Sequence, residues 1–175
     1  IDFYVFMQYL FFAQWEKLRA YANKQGIQII GDIPIYVSPD SCDVWAHPEM
    51  FQIDGDLKPH GVAGVPPDYY SATGQLWGNP TYNWKVIEDD GFRWWIWRVR
   101  RNLALFDVTR IDHFRGFQAY WEIPEGEETA INGKWKKGPR MKLFKAIREA
   151  LGEVPIIAED LGDIDDAVRK FLKKS

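Results

Sequence analysis

Apolar and polar positions recur along this chain with two periods, and the switches between them outline the elements. Residues 13–25, "AQWEKLRAYANKQ", place Trp15, Leu18 and Ala22 on one helical face, and Gly26 stands where a left-handed C-terminal cap belongs. From Ile27, "IQIIGDIPIYV" predicts a short strand that reaches Asp32 before Pro34 stops it. "FRWWIWRVRRNLALF", from Phe92 to Phe106, predicts an amphipathic helix that leads into the strand "FDVTRID". "RMKLFKAIREALG" predicts another helix, with Leu143, Phe144, Ile147 and Leu151 inward and Gly152 as its cap. The strand "VPIIAED" follows, then a closing helix, "DIDDAVRKFLKK", with acids first and lysines last as the helix dipole prefers. Strands that alternate with helices predict a parallel sheet in a single α/β domain over residues 1–175.

Three stretches fall outside this rhythm. Residues 34–90, full of Pro, Gly, Asp and aromatics, read as one long loop excursion, a length that usually serves a function. A second excursion runs from His113 to Pro139, and its "INGKW" predicts an Asn-Gly turn closing a hairpin. The opening "IDFYVFMQYLFFAQW" is apolar almost throughout, but Gln8, Gln14 and Glu16 interrupt it. Its uncharged run falls short of the roughly 20 residues of a membrane-spanning helix. It also lacks the basic start and cleavage site of a signal peptide, so it predicts a buried helix and no membrane partner.

Composition narrows the function classes. A net charge of -3 with 46 % hydrophobic residues describes a soluble globular chain, and the missing basic stripe argues against a nucleic-acid partner. Cys42, the sole cysteine, cannot form an internal disulfide; it suits a reducing compartment and is expected to be partly buried. Nine Trp, eight Tyr and eleven Phe exceed what a core of this size needs, so those in polar loops require another account. The start at Ile1 predicts a processed product or an excerpt.

Candidate chemistry lies at the strand ends. Each predicted strand finishes in an acid, namely Asp32, Asp112 and Glu159. Ligand sites of parallel α/β folds lie at that edge, so the three acids are expected to converge on one mouth. The plainer alternative is that each acid caps the turn after its strand. "FDVTRIDHFRGF" sharpens the question, because Arg110, Asp112, His113 and Arg115 follow a core-like strand, where an unpaired charge costs several kcal/mol. Strand alternation points Arg110 and Asp112 one way, Ile111 and His113 the other. A neighbouring guanidinium favours an ionised Asp112, as a nucleophile requires, and the apolar "PIIA" before Glu159 favours a protonated acid. Two carboxyl groups set apart in this way are the working parts of a glycosidase. A separation of roughly 5 to 5.5 Å would mark the retaining, covalent route.

Metal and cofactor signals are weak, and neither is expected. "DGDLKPHG" begins like a calcium loop, but the twelfth position from Asp54 is Val65 rather than Glu. His47, His60 and His113 lack ligand spacing, and no phosphate-binding loop, dinucleotide fingerprint or serine elbow occurs.

In order, "GDIPIYV", "GVPPDYYSATGQLWGNPTYNW", "RIDHFRGF" and "IIAEDLG" resemble the 4-α-glucanotransferase family, the amylomaltases or disproportionating enzymes of the α-amylase clan. The resemblance covers Ile1 to about Asp166. It implies a (β/α)8 TIM barrel, α-1,4-glucans and maltooligosaccharides as substrates, and transfer of glucan segments through a covalent intermediate. By position it implies Asp112 as nucleophile and Glu159 as general acid/base, with Arg110 and His113 touching the sugar and Asp32 shaping the site. Asp68, Tyr69, Tyr70, Gln75 and Trp77 match the mobile loop that covers the glucan groove. An aromatic lid of this kind excludes water and offers apolar faces to sugar rings, which transfer requires. A third acid of the family would come from a later strand, beyond Ser175. A full barrel takes about 250 residues, so the chain is expected to be a partial barrel of about three parallel strands, inactive alone. Its exposed edges would need the remainder of the barrel or self-association. The setting implied is cytoplasmic, or plastid for a chain without its transit peptide. A hydrolase of the same clan and a non-catalytic glucan-binding module are the alternatives.

Overall fold

The computed structural model describes residues 1–161 and 164–174. The chain runs through α1 (Asp2–Lys24), β1 (Ile30–Ile33), α2 (Cys42–Ala46), β2 (Gly61–Val65), β3 (Gln75–Pro80), α3 (Trp84–Asp89) and α4 (Arg93–Leu105). It continues through β4 (Val108–Ile111), β5 (Ala119–Pro124), β6 (Lys134–Lys137), α5 (Met141–Leu151), β7 (Ile156–Ala158) and α6 (Asp166–Leu172).

The parallel sheet has the order β1-β4-β7, and its strands are the three expected from the sequence. Ile33 sits opposite Ile111 in register, and both are buried. They join one cluster with Trp95 and Val99 of α4 and Leu143, Phe144 and Ile147 of α5. That burial is the main force holding helices to sheet. Gly152 adopts φ 74 after α5, and Gly26 adopts φ 77 after α1. At the latter, Gly26 N–H donates to the Asn23 carbonyl and Ile27 N–H to that of Ala22, a Schellman cap.

Both excursions hold more regular structure than expected. Residues 34–90 form α2, α3, a short 3-10 turn at Pro48–Met50 and the strands β2 and β3. The second excursion supplies β5 and β6, and the four strands join as one antiparallel sheet in the order β3-β2-β5-β6. The "INGKW" hairpin exists, but Glu122 pairs with Lys134, so the connection is longer than an Asn-Gly turn. Gly133 is needed there for space: a Cβ would lie 2.1 Å from Nε1 of Trp121.

The opening segment is helical but not buried. No residue of α1 is buried, and Phe3, Tyr4, Val5, Phe6, Met7 and Leu18 are exposed. Apolar residues surround this helix rather than lining one face, and its attachments are made further along. Trp15 Nε1 donates to the Leu105 carbonyl at 2.7 Å, and Arg19 and Asn23 bond to the Asp107 carboxylate. That carboxylate also accepts from the Ile29 N–H; this bond, then those from Asn23 and Arg19, hold its pKa at about 2. Among the described residues, no helix is long and apolar enough to cross a membrane. Cys42 is exposed rather than partly buried. The last helix begins with Asp165 as its N-cap; residue 163, placed in that helix from sequence, lies outside the described residues.

Candidate active site

The parallel ladder continues past the strands: Asp112 N–H donates to the Ile33 carbonyl and Glu159 N–H to that of Ile111. These bonds fix both acids at the C-terminal edge of adjacent strands. Arg110 is the register partner of Asp32. Its Nη1 lies 2.7 Å from Asp32 and its Nη2 2.8 Å from Asp112, so one guanidinium bridges two carboxylates. The charges at the end of this strand are therefore paired, which removes the penalty that made the segment conspicuous.

His113 turns the chain with a left-handed φ of 50. Its backbone N–H donates to Glu159 Oε2 at 2.8 Å, while Leu161 N–H donates to Oε1 at 3.1 Å. Both oxygens of Glu159 are thus held, one by the residue next to Asp112. The apolar surroundings expected for Glu159 are not found, since its side chain is only half-buried and faces these donors. The His113 ring is buried and meets Trp77 edge-on at 4.9 Å. Burial first and then the Arg115 charge push its pKa down to about 4, against the opposing pull of Asp112, so the imidazole is neutral at pH 7.

Asp112, His113 and Glu159 line one cleft of about 900 Å³, together with Asp68, Tyr69, Tyr70, Gln75 and Trp77. Asp68 starts a tight turn, in which its Oδ1 accepts from the N–H groups of Tyr70 and Ser71 at 2.8 Å. The turn throws the two tyrosines outward, 97 % and 93 % exposed, with their rings edge to face. Gly74, at φ 69, closes the same loop where a Cβ would sit 2.4 Å from the Val65 carbonyl. Trp77 is oriented by its Nε1–H, which donates to Gln75 Oε1 at 3.0 Å. Asp32 and Arg110 are not among the residues that line the cleft; Arg110 meets it through its ion pair with Asp112.

Such a mouth, with two fixed carboxyl groups under an aromatic loop, suits reaction at a sugar acetal. The family model described as 4-alpha-glucanotransferase matches residues 1–175. The chain belongs to the 4-alpha-glucanotransferase family. The protein of that name from Aquifex aeolicus is 62 % identical over 95 % of this chain and 34 % of its own length. The chloroplastic/amyloplastic 4-alpha-glucanotransferase of Solanum tuberosum is 51 % identical, over 99 % of this chain and 30 % of its own. Among solved structures, the amylomaltase from Streptococcus agalactiae in complex with acarbose superposes with a TM-score of 0.93 at 51 % identity, over 95 % of this chain and 34 % of that one. The chain spans about a third of the length of the curated relatives it matches.

The cleft lining also includes Val65, Pro66, Pro67, Arg115, Trp135 and Leu161, which were not singled out as site residues. Arg115 belongs to the "RIDHFRGF" motif but stood beyond the strand. Trp135 lies in "INGKW", read only as a turn, and its place in a lysine-rich strand was the available signal. Among the described residues, no three His, Cys, Asp or Glu side chains group as metal ligands would.

Proposed function

We propose that the chain is the central segment of a 4-α-glucanotransferase, which moves α-1,4-glucan segments between maltooligosaccharides by double displacement with retention. Asp112 attacks the anomeric carbon while Glu159 protonates the departing glycosidic oxygen. The acceptor sugar then gives its hydroxyl proton to Glu159 and displaces Asp112, which restores both groups. The observation that carries this reading is the common cleft of Asp112 and Glu159, each fixed at the end of adjacent parallel strands.

Arg110 keeps Asp112 oriented, with Asp32 as its second anchor. Neutral His113 offers a hydrogen bond to a sugar hydroxyl without adding charge to the cleft, and Trp77, its indole N–H held by Gln75, offers an apolar ring. Tyr69 and Tyr70, poised on the Asp68 turn, close over the bound glucan and keep water from the intermediate. The three parallel strands are part of a (β/α)8 barrel whose other strands pair with the open edges of β1 and β7. The protein works in the cytoplasm or, in a plant setting, in a plastid. The 175-residue chain alone is expected to turn over little or no glucan.

Chromatography of maltotriose reaction products tests the reading. The full-length protein should yield glucose together with longer maltooligosaccharides, and Asp112→Asn should abolish both. Glucose and maltose without longer products would mean a hydrolase. Tight glucan binding with no products, unchanged by Asp112→Asn, would mean a binding module.

A further inference from the structure

β6 has the sequence Lys-Trp-Lys-Lys, and all four residues are exposed. Packing gives no reason for an indole in such a strand. Yet the ring of Trp135 is held in place from two directions. Its register partner, Trp121, meets it edge-on at 5.2 Å. Trp121 is itself locked, because its Nε1–H donates to the Ala130 carbonyl at 2.8 Å and Gly133 leaves room for the indole. The guanidinium of Arg115 lies over the Trp135 ring at 3.9 Å. Arg115 is 4 % exposed and lies 3.8 Å from the Asp165 carboxylate. Trp135 is 39 % exposed and lines the cleft that holds Asp112 and Glu159.

We infer that Trp135 is a stacking platform for a glucose unit away from the bond being broken, and so sets preference for longer glucan donors. The inference rests on the glucanotransferase reading of the cleft. A pyranose ring presents an apolar face of C–H groups that stacks on an indole, and a platform fixed in advance loses little freedom on binding. Trp135 is carried by β6, the edge strand of the antiparallel sheet, whereas Asp112 and Glu159 follow strands of the parallel sheet.

The test compares maltotriose and maltoheptaose as donors for the full-length protein and its W135L and W135F variants. Leucine keeps bulk without an aromatic face; phenylalanine keeps the face. W135L should raise KM for maltoheptaose roughly three- to tenfold, with kcat and the maltotriose KM within about twofold. W135F should restore most of the loss. An equal KM change for both donors, or none for either, overturns the platform. Asp112→Asn, run alongside, separates the two readings. If it retains turnover, the catalytic assignment fails; if it is inactive while donor preference in W135L is unchanged, only the platform fails.

Discussion

On the parallel sheet, the groups that face the cleft are Asp112, His113 and Glu159, each set by a backbone hydrogen bond or a turn. On the antiparallel sheet and its connecting loop, they are chiefly Tyr69, Tyr70, Gln75, Trp77 and Trp135, with Asp68 at the start of the turn. One region places titratable side chains at fixed strand ends, and the other places mostly aromatic surface. The difference follows from what each sheet can hold rigidly. A parallel strand end lies against a packed core and can orient an ion pair such as Arg110 with Asp32 and Asp112. An exposed hairpin has little core, and aromatic contacts hold their geometry there without burial of charge.

Breaking the charged side should produce the largest effect. Asp112→Asn in the full-length protein is expected to lower kcat by at least about 10³-fold, and Glu159→Gln by about 10² to 10⁴-fold, in single-turnover assays with maltotriose. Next comes the core that both sheets share. Trp95 is fully buried against Tyr82, Trp84 and Phe117, so Trp95→Ala should cost about 3 to 5 kcal/mol in urea unfolding and loosen both regions together.

A pH titration probes the seam between the two regions, where His113 meets Trp77. The ring faces Arg115, Asp112 and, through its backbone, Glu159, and its folded pKa of about 4 lies below the ordinary 6.5. Between those values the unfolded chain binds a proton that the folded chain does not, so stability falls as pH drops from about 6.5 to 4. Full passage through this window should remove about 3 kcal/mol, and a His113→Gln variant should lack that slope in urea titrations. The loss attached to Asp107 falls lower, as pH drops from 3.8 towards about 2, and serves as an internal marker. The smallest stability effect belongs to the lid. Tyr69→Ala and Tyr70→Ala should change unfolding free energy by less than about 0.5 kcal/mol while the ratio of hydrolysis to transfer rises several-fold.

The parallel region was legible because its signals are local and strong. β-branched runs ending in acids marked β1, β4 and β7, and clean apolar spacing marked α4 and α5. The antiparallel sheet was hidden for physical reasons. β2 is "GVAGV", β6 is three lysines around one tryptophan, and each gains its order from partners distant in the chain. The burial of α1 was misjudged because composition gives hydrophobicity but not the surface that would meet it. Of the residues that the resemblance singled out, Asp112, Glu159, His113, Asp68, Tyr69, Tyr70, Gln75 and Trp77 line one cleft, whereas Arg110 and Asp32 are not in its lining.

The double engagement of Arg110 has one more consequence for the proposed route. When Asp112 becomes an ester with the sugar, its negative charge disappears for the lifetime of that species. The guanidinium does not then become an orphan cation, because Asp32 remains as its counter-ion at 2.7 Å. The scaffold beneath the reacting carboxylate thus keeps one intact ion pair in both halves of the cycle.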